Sequence, residues 1–200
     1  MSAELSNAST DRRVVRTRQV ITEAFLNLIS EQPFAKVNIK DITELADVNR
    51  STFYSHFQDK YDLLNQLVQE HLHALSQLAE QHIKNMQQQE PDTADPYYTA
   101  LFEHLAEHEL FYKMMITRMS PELFLEPMRI VIRDSYHRFI SQRNAAASTL
   151  VPQDILLDYM SYAIMGIIKQ WFDTEMIYSP RYTALQLTRL SLTGTYNAMG

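Results

Sequence analysis

Residues 104–108 read His-Leu-Ala-Glu-His. On a helix His104 and His108 stand at i and i+4 and share one face. The order H-x-x-E-H is that of an inverted zinc-protease signature, with two imidazoles on the metal and Glu107 as general base on its bound water. A third ligand is needed, and Glu175 is the acid nominated for it. Against this reading, short His/Glu matches arise by chance in a chain with 7 His, and Glu103, Glu107 and Glu109 read as a solvated helix face. No catalytic residue, cofactor or metal is therefore expected, and a regulatory ion at His104 and His108 stays open. Other chemistries are excluded more firmly. The chain has Cys 0 and Gly 3, so it offers no thiolate, no disulfide and no glycine-rich phosphate loop. No G-x-S-x-G marks a serine nucleophile.

A second constellation lies in the first third. Arg12, Arg13, Arg16 and Arg18 crowd together with no acid among them. Further on, Arg50, Ser51, Thr52, Tyr54, Ser55 and His56 interleave with Phe53 and Phe57. On a helix the two phenylalanines share a buried face and leave the polar side chains outward. Arginine can fork onto guanine O6 and N7, and hydroxyls and imidazole can donate to phosphates or bases. The whole chain carries net charge −6, yet residues 1–60 balance eight basic against eight acidic side chains. An acidic protein with one locally basic end points to a polyanion met at that end alone.

The elements that must position these residues follow from periodicity and caps. Val14, Ile21, Ala24, Phe25, Leu28 and Ile29 form one helical stripe over 12–31, which Pro33 ends. Asn38, with Asp41 three residues on, reads as a capping box opening a short helix over 39–46 that buries Ile42, Leu45 and Ala46. A three-residue break follows, and Asn49 reads as the cap of another short helix over 50–57. This is helix-turn-helix spacing. A long helix over 60–86 comes next, with Leu64, Leu67, Val68, Leu75, Leu78 and Ile83 as its stripe, and its first amides and Lys60 are expected to attract phosphate. Beyond the polar stretch 87–95, Asp95-Pro96, Ser120-Pro121 and Ser179-Pro180 each put a capping residue before a proline. They suggest helices near 96–107, 109–119, 121–143, 153–176 and 181–198. The fold class is all-α, with nine helices. No apolar run reaches the ~20 residues of a membrane span, and no signal peptide is read, so a soluble cytoplasmic protein is expected.

The run from Ile39 to Leu64 resembles the DNA-binding domain of TetR-type (TetR/AcrR) transcriptional regulators. That pattern is an amphipathic helix followed by "DIA…AGVSxGTLYxHFxxKExLL". Asp41-Ile42, Val48, Phe53-Tyr54, His56-Phe57, Lys60 and Leu63-Leu64 fall on it in register, and the likeness covers about 12–64. The usual turn glycine is Asp47 here, at a position that tends to positive φ, which Asp tolerates better than most residues. The resemblance implies a helix-turn-helix domain over 1–60 and a ligand-binding and dimerisation domain over 61–200. It implies that Arg50, Ser51, Thr52 and Tyr54 face DNA, that Tyr54, His56 and Lys60 hold phosphates, and that Asn38 touches one. Lys40, Asn49 and Ser55 complete the expected DNA-binding set.

By the same resemblance, helices near 153–176 and 181–198 pair with their copies in a homodimer, where Ala163, Gly166 and Ile167 permit close approach. Methionine is frequent from 114 onward and suits an adaptable pocket. The expected effector residues are Phe102, His104, Phe111, Tyr112, Met115, Met119, Phe124, Tyr162 and Trp171, which would take a small, mainly apolar molecule with one or two polar anchors. The expectation is a homodimeric repressor on a palindromic operator of double-stranded DNA, released by that effector. An activator of the same fold controlled by a protein partner is the alternative, and zinc hydrolysis at 104–108 is the third.

Overall fold

The computed structural model describes residues 2–83, 90–143 and 151–198. Among them are nine α-helices: α1 (Ser2–Glu31), α2 (Ile39–Leu45), α3 (Arg50–Tyr54), α4 (Lys60–Ile83), α5 (Pro96–Glu107), α6 (Glu109–Thr117), α7 (Leu125–Arg143), α8 (Gln153–Asp173) and α9 (Pro180–Ala198). They fall into two compact units, Met1–Gln69 and Glu70–Gly200, which part within α4. No helix among the described residues is long and apolar enough to cross a membrane.

In the first unit the core is Ile21, Phe25, Ile29, Ile42, Phe53, Phe57, Leu63 and Leu67. Three readings of this core need correction. Helix α1 begins at Ser2, well before the expected residue 12. Val14 is 47% exposed and Leu45 55% exposed. Apolar periodicity marked a face for both; for Leu45 the reason is that α2 has only 7 residues, too short to cover a whole stripe. The capping box is present as expected: Asn38 Oδ1 accepts from the Asp41 amide at 3.1 Å, and Asp41 Oδ2 accepts from the Asn38 amide at 3.2 Å. Helix α2 ends with Asp47 at φ 50. The Val48 amide reaches back to the Thr43 carbonyl and the Asp47 amide to Glu44, the paired bonds of a Schellman stop.

In the second unit α5 packs on α9 and α7 on α8, with α6 against α5 and α8. Asp95 caps α5 as expected, accepting from the Tyr97 amide at 2.6 Å, and Pro96 holds the first position. The Ser120-Pro121 start is not used in that way. Residues 121–124 form turns and α7 begins at Leu125. Pro127 is the reason: it lacks an N–H, so it is tolerated only within a first helical turn, which delays the start. Helices α6 and α8 also stop short of the expected ends, at Thr117 and Asp173. The expected helix residues 84–86 lie outside the described residues.

Candidate nucleic-acid interface

The geometry of the first unit is set by how α2 and α3 are stopped and started. Asn49 takes extended backbone before α3, but its side chain makes no capping bond, unlike the cap expected of it. The Asn49 carbonyl instead accepts from the Thr52 and Phe53 amides. Phe53 and Phe57 are buried, their rings 5.6 Å apart. Anchoring this face turns Arg50, Ser51 and Tyr54 to the outside, with Tyr54 56% exposed. Thr52 and His56 are half-buried, and Ser55 is exposed, its Oγ donating to the Thr52 carbonyl. Asn38, Lys40, Arg50, Tyr54 and Lys60 together line one surface hollow of about 470 Å3. Lys40 lies 3.7 Å from Glu44 in an exposed pair, too weakly held to keep it from another anion.

Lys60 is placed differently from its expected role. Its ammonium donates to the carbonyls of Phe34, Ala35 and Val37 at 2.9, 3.2 and 2.6 Å. It also lies over the rings of Phe34 and Tyr61. An ammonium has three donors, and all are used within the chain. The first amides of α4 are likewise taken: Asp59 Oδ1 accepts from Tyr61 and Asp62 at 2.8 Å each. A carboxylate there satisfies the helix start and repels phosphate, so α4 does not offer the anion site expected of it. Asp62 in turn accepts from the Gln58 amide and from Gln66, and these bonds hold its carboxyl below the usual range. Arg18 is also engaged internally, donating to Gln66 at 2.8 Å and lying 4.8 Å over the Phe57 ring. Arg12, Arg13 and Arg16 are exposed.

The expected effector residues are mostly core. Phe102, Phe111, Tyr112, Met115, Phe124 and Trp171 are buried. Phe111 and Phe124 meet edge to face at 5.3 Å and Phe102 and Trp171 at 5.1 Å. Met119 is half-buried. Half-buried His104 bonds the Tyr112 hydroxyl at 2.9 Å, and burial raises the Tyr112 pKa. Tyr162 is not among them: it is 56% exposed, with the Arg129 guanidinium 4.6 Å over its ring. It occupies the face of α8 away from Leu157, Ile164, Ile168 and Trp171, which are buried. A cavity of about 820 Å3 in this unit is lined by none of the nine, but by residues that include His82, Thr99, Glu103, Arg181 and Tyr182.

His104, Glu107 and His108 do converge, each offering a ligand atom within 4.8 Å of the others. Glu175, nominated as third ligand, is exposed and paired with Lys113 instead. The residue that sequence reasoning missed is His71 on α4. Its ring centroid is 4.9 Å from that of His108 and 6.1 Å from that of His104. Nothing in the local sequence joins it to 104–108; the packing of α4 does.

A capped helix, a stop over residues 46–49 and a short second helix with an outward polar face define a helix-turn-helix DNA-binding regulator. Residues 21–67 match the family described as bacterial regulatory proteins, tetR family, and residues 92–192 match a transcriptional regulator C-terminal region. The chain belongs to the TetR family of transcriptional regulators. It is 45% identical over 60 residues to the HTH-type transcriptional regulator YxbF of Bacillus subtilis (strain 168), a stretch that is 30% of this chain and 16% of that protein. It is 20% identical over 186 residues to the dhaKLM operon transcriptional activator DhaS of Lactococcus lactis subsp. lactis (strain IL1403), covering 90% of this chain and 80% of DhaS. Among solved structures, the fatty acid degradation regulator FadR from Bacillus halodurans superposes with TM-score 0.66 at 15% identity, over 90% of this chain and 96% of that one. The fold and family are those of a regulator, and the zinc-hydrolase reading is set aside.

Proposed function

We propose that the chain is a homodimeric repressor that binds a palindromic operator through α3 and is released by a small, mainly apolar effector. The observation that carries it is the pairing of a buried Phe53–Phe57 face with the outward Arg50, Ser51 and Tyr54. On this reading Arg50 reads base edges, and Asn38, Lys40, Asn49, Ser51, Thr52, Tyr54, Ser55 and His56 position the backbone. Lys60 supports them by fixing residues 34–37. The dimer reading is supported by α8, where Ile155, Tyr159 and Tyr162 are more than half exposed. Ala163 and Gly166 lie on the same side, and a Cβ at Gly166 would meet nothing within 4 Å in its own chain. The site of action is the cytoplasm, where the DNA is.

The effector would enter the aromatic cluster around Phe111 and Phe124, with His104 and Tyr112 as polar anchors, and shift the population away from the DNA-binding state. Ligand and DNA are then reciprocally linked. Capture of genomic fragments on the purified protein, with and without apolar candidates, tests this. Enrichment of a symmetric site that one of them abolishes is expected. A site that no such compound weakens would contradict the effector.

One observation favours a second reading. Most of the expected effector residues are buried, while apolar side chains are exposed on α8, Tyr162 among them, and at Ile177, Tyr178 and Tyr182. An activator controlled by a protein partner fits that pattern, and DhaS, matched over most of the chain, is described as an activator.

A further inference from the structure

We propose that His71, His104 and His108 form a binding site for a divalent transition-metal ion of the zinc type, with Glu107 at its solvent edge. Three imidazoles on one tetrahedral ion, each with a metal–nitrogen bond of about 2.0 Å, set their ring centroids roughly 5 Å apart. The centroid separations here are 4.7 Å for His104–His108, 4.9 Å for His71–His108 and 6.1 Å for His71–His104. Two of these three separations already match that spacing. The longest separation is the one that must close. Glu107 supplies a carboxylate oxygen within 4.8 Å of the nitrogens of His104 and His108, which completes an N3O set. Imidazole with one carboxylate selects zinc and its neighbours over magnesium or calcium.

The surroundings suit an ion. His71 is stacked on the Phe111 ring at 3.8 Å, which fixes its plane. The Tyr112 hydroxyl sits 2.9 Å from His104 Nε2. The Tyr112 oxygen can accept a hydrogen bond from the Nε2–H, which would leave Nδ1 to the metal. A ligating histidine usually has such a partner on its other nitrogen. The three histidines come from α4, from α5, and from the residue between α5 and α6, so an ion would tie these elements of the larger unit together.

The site shares His104, Phe111 and Tyr112 with the effector reading, but its test uses neither DNA nor an effector. Untagged full-length protein, stripped with chelator, is titrated with zinc against a chromophoric chelator, and in parallel with cobalt(II) followed by visible absorption. One ion per chain is expected, with the intense cobalt bands of a four-coordinate site and a raised Tm with zinc. His71→Phe keeps a ring on Phe111 and removes the nitrogens. It should weaken zinc at least tenfold, as should His104→Gln and His108→Gln, while His73→Ala leaves affinity unchanged. Circular dichroism confirms that each variant is folded, and a variant that does not fold is replaced by His71→Gln. No bound ion, six-coordinate cobalt spectra, or unaltered zinc affinity in folded His71 variants would overturn the proposal.

Discussion

Lys60 shows how a residue can belong to a DNA-binding motif and do its work inside the protein. Its three donors close on Phe34, Ala35 and Val37, and hydrogen bonds from a charged group contribute about 1.5–3 kcal/mol each when well formed. Lys60→Met should lower the urea midpoint of unfolding clearly, and an unchanged midpoint would mean the three bonds carry nothing. Arg50 behaves oppositely, since it is exposed. Arg50→Ala should leave stability alone and weaken the preferred sequence by about 1–3 kcal/mol relative to others. Equal loss on all sequences would remove its base-reading role. Tyr54→Phe should reduce affinity without altering the consensus. Residue types and spacing made the outward set legible, because the buried Phe53 and Phe57 define which side is out. They could not reveal that Lys60 and Arg18 turn inward, nor that His71 joins His104 and His108. Those facts depend on contacts between residues far apart in the chain.

At the scale of elements, caps and stops decide the reading head. Removing one half of the capping box with Asn38→Ala should cost about 1 kcal/mol. Asp47 holds φ 50, so Asp47→Val should cost roughly 1–2 kcal/mol, because a branched Cβ crowds the left-handed region. Thermal melts of both variants measure this, and a Val variant as stable as the parent would show that the turn is not strained. Asn38, Asp47 and Asp95 were legible because capping is local chemistry. The start of α7 was not read correctly, since Pro121 looked like a first residue while Pro127 set the real limit. The exposure of Leu45 was hidden for a similar reason: periodicity gives a face, and only packing says how much of it is covered.

At the scale of the whole molecule, the larger unit buries tyrosines whose ionisation in place is disfavoured. Burial raises the pKa of Tyr97, Tyr98, Tyr112 and Tyr136 above the ordinary 10.0. Tyr98 is also bonded to Tyr136 and to Ser191. The unfolded chain loses these protons near pH 10 while the folded one keeps them, so stability present below that pH is lost as pH rises above it. Part of the tyrosinate absorbance should therefore appear only together with loss of helical circular dichroism. Full absorbance with native dichroism would contradict the burial. The dimer belongs to this scale too. Paired Ile155→Lys and Tyr159→Lys changes should give a monomer in sedimentation. The nine-helix class was legible from periodicity and low glycine, but sequence pattern alone does not distinguish the exposed apolar side of α8 from its core side.

The central claim is that two copies of α3 read a symmetric site. Selection from a random duplex pool on the purified protein at near-physiological salt, followed by sequencing, tests it most directly. A palindromic consensus is predicted, with half-sites about one helical turn apart or slightly more and affinity falling steeply with salt. A consensus without two-fold symmetry, or no enrichment by folded protein stripped of bound molecules and refolded, would contradict it.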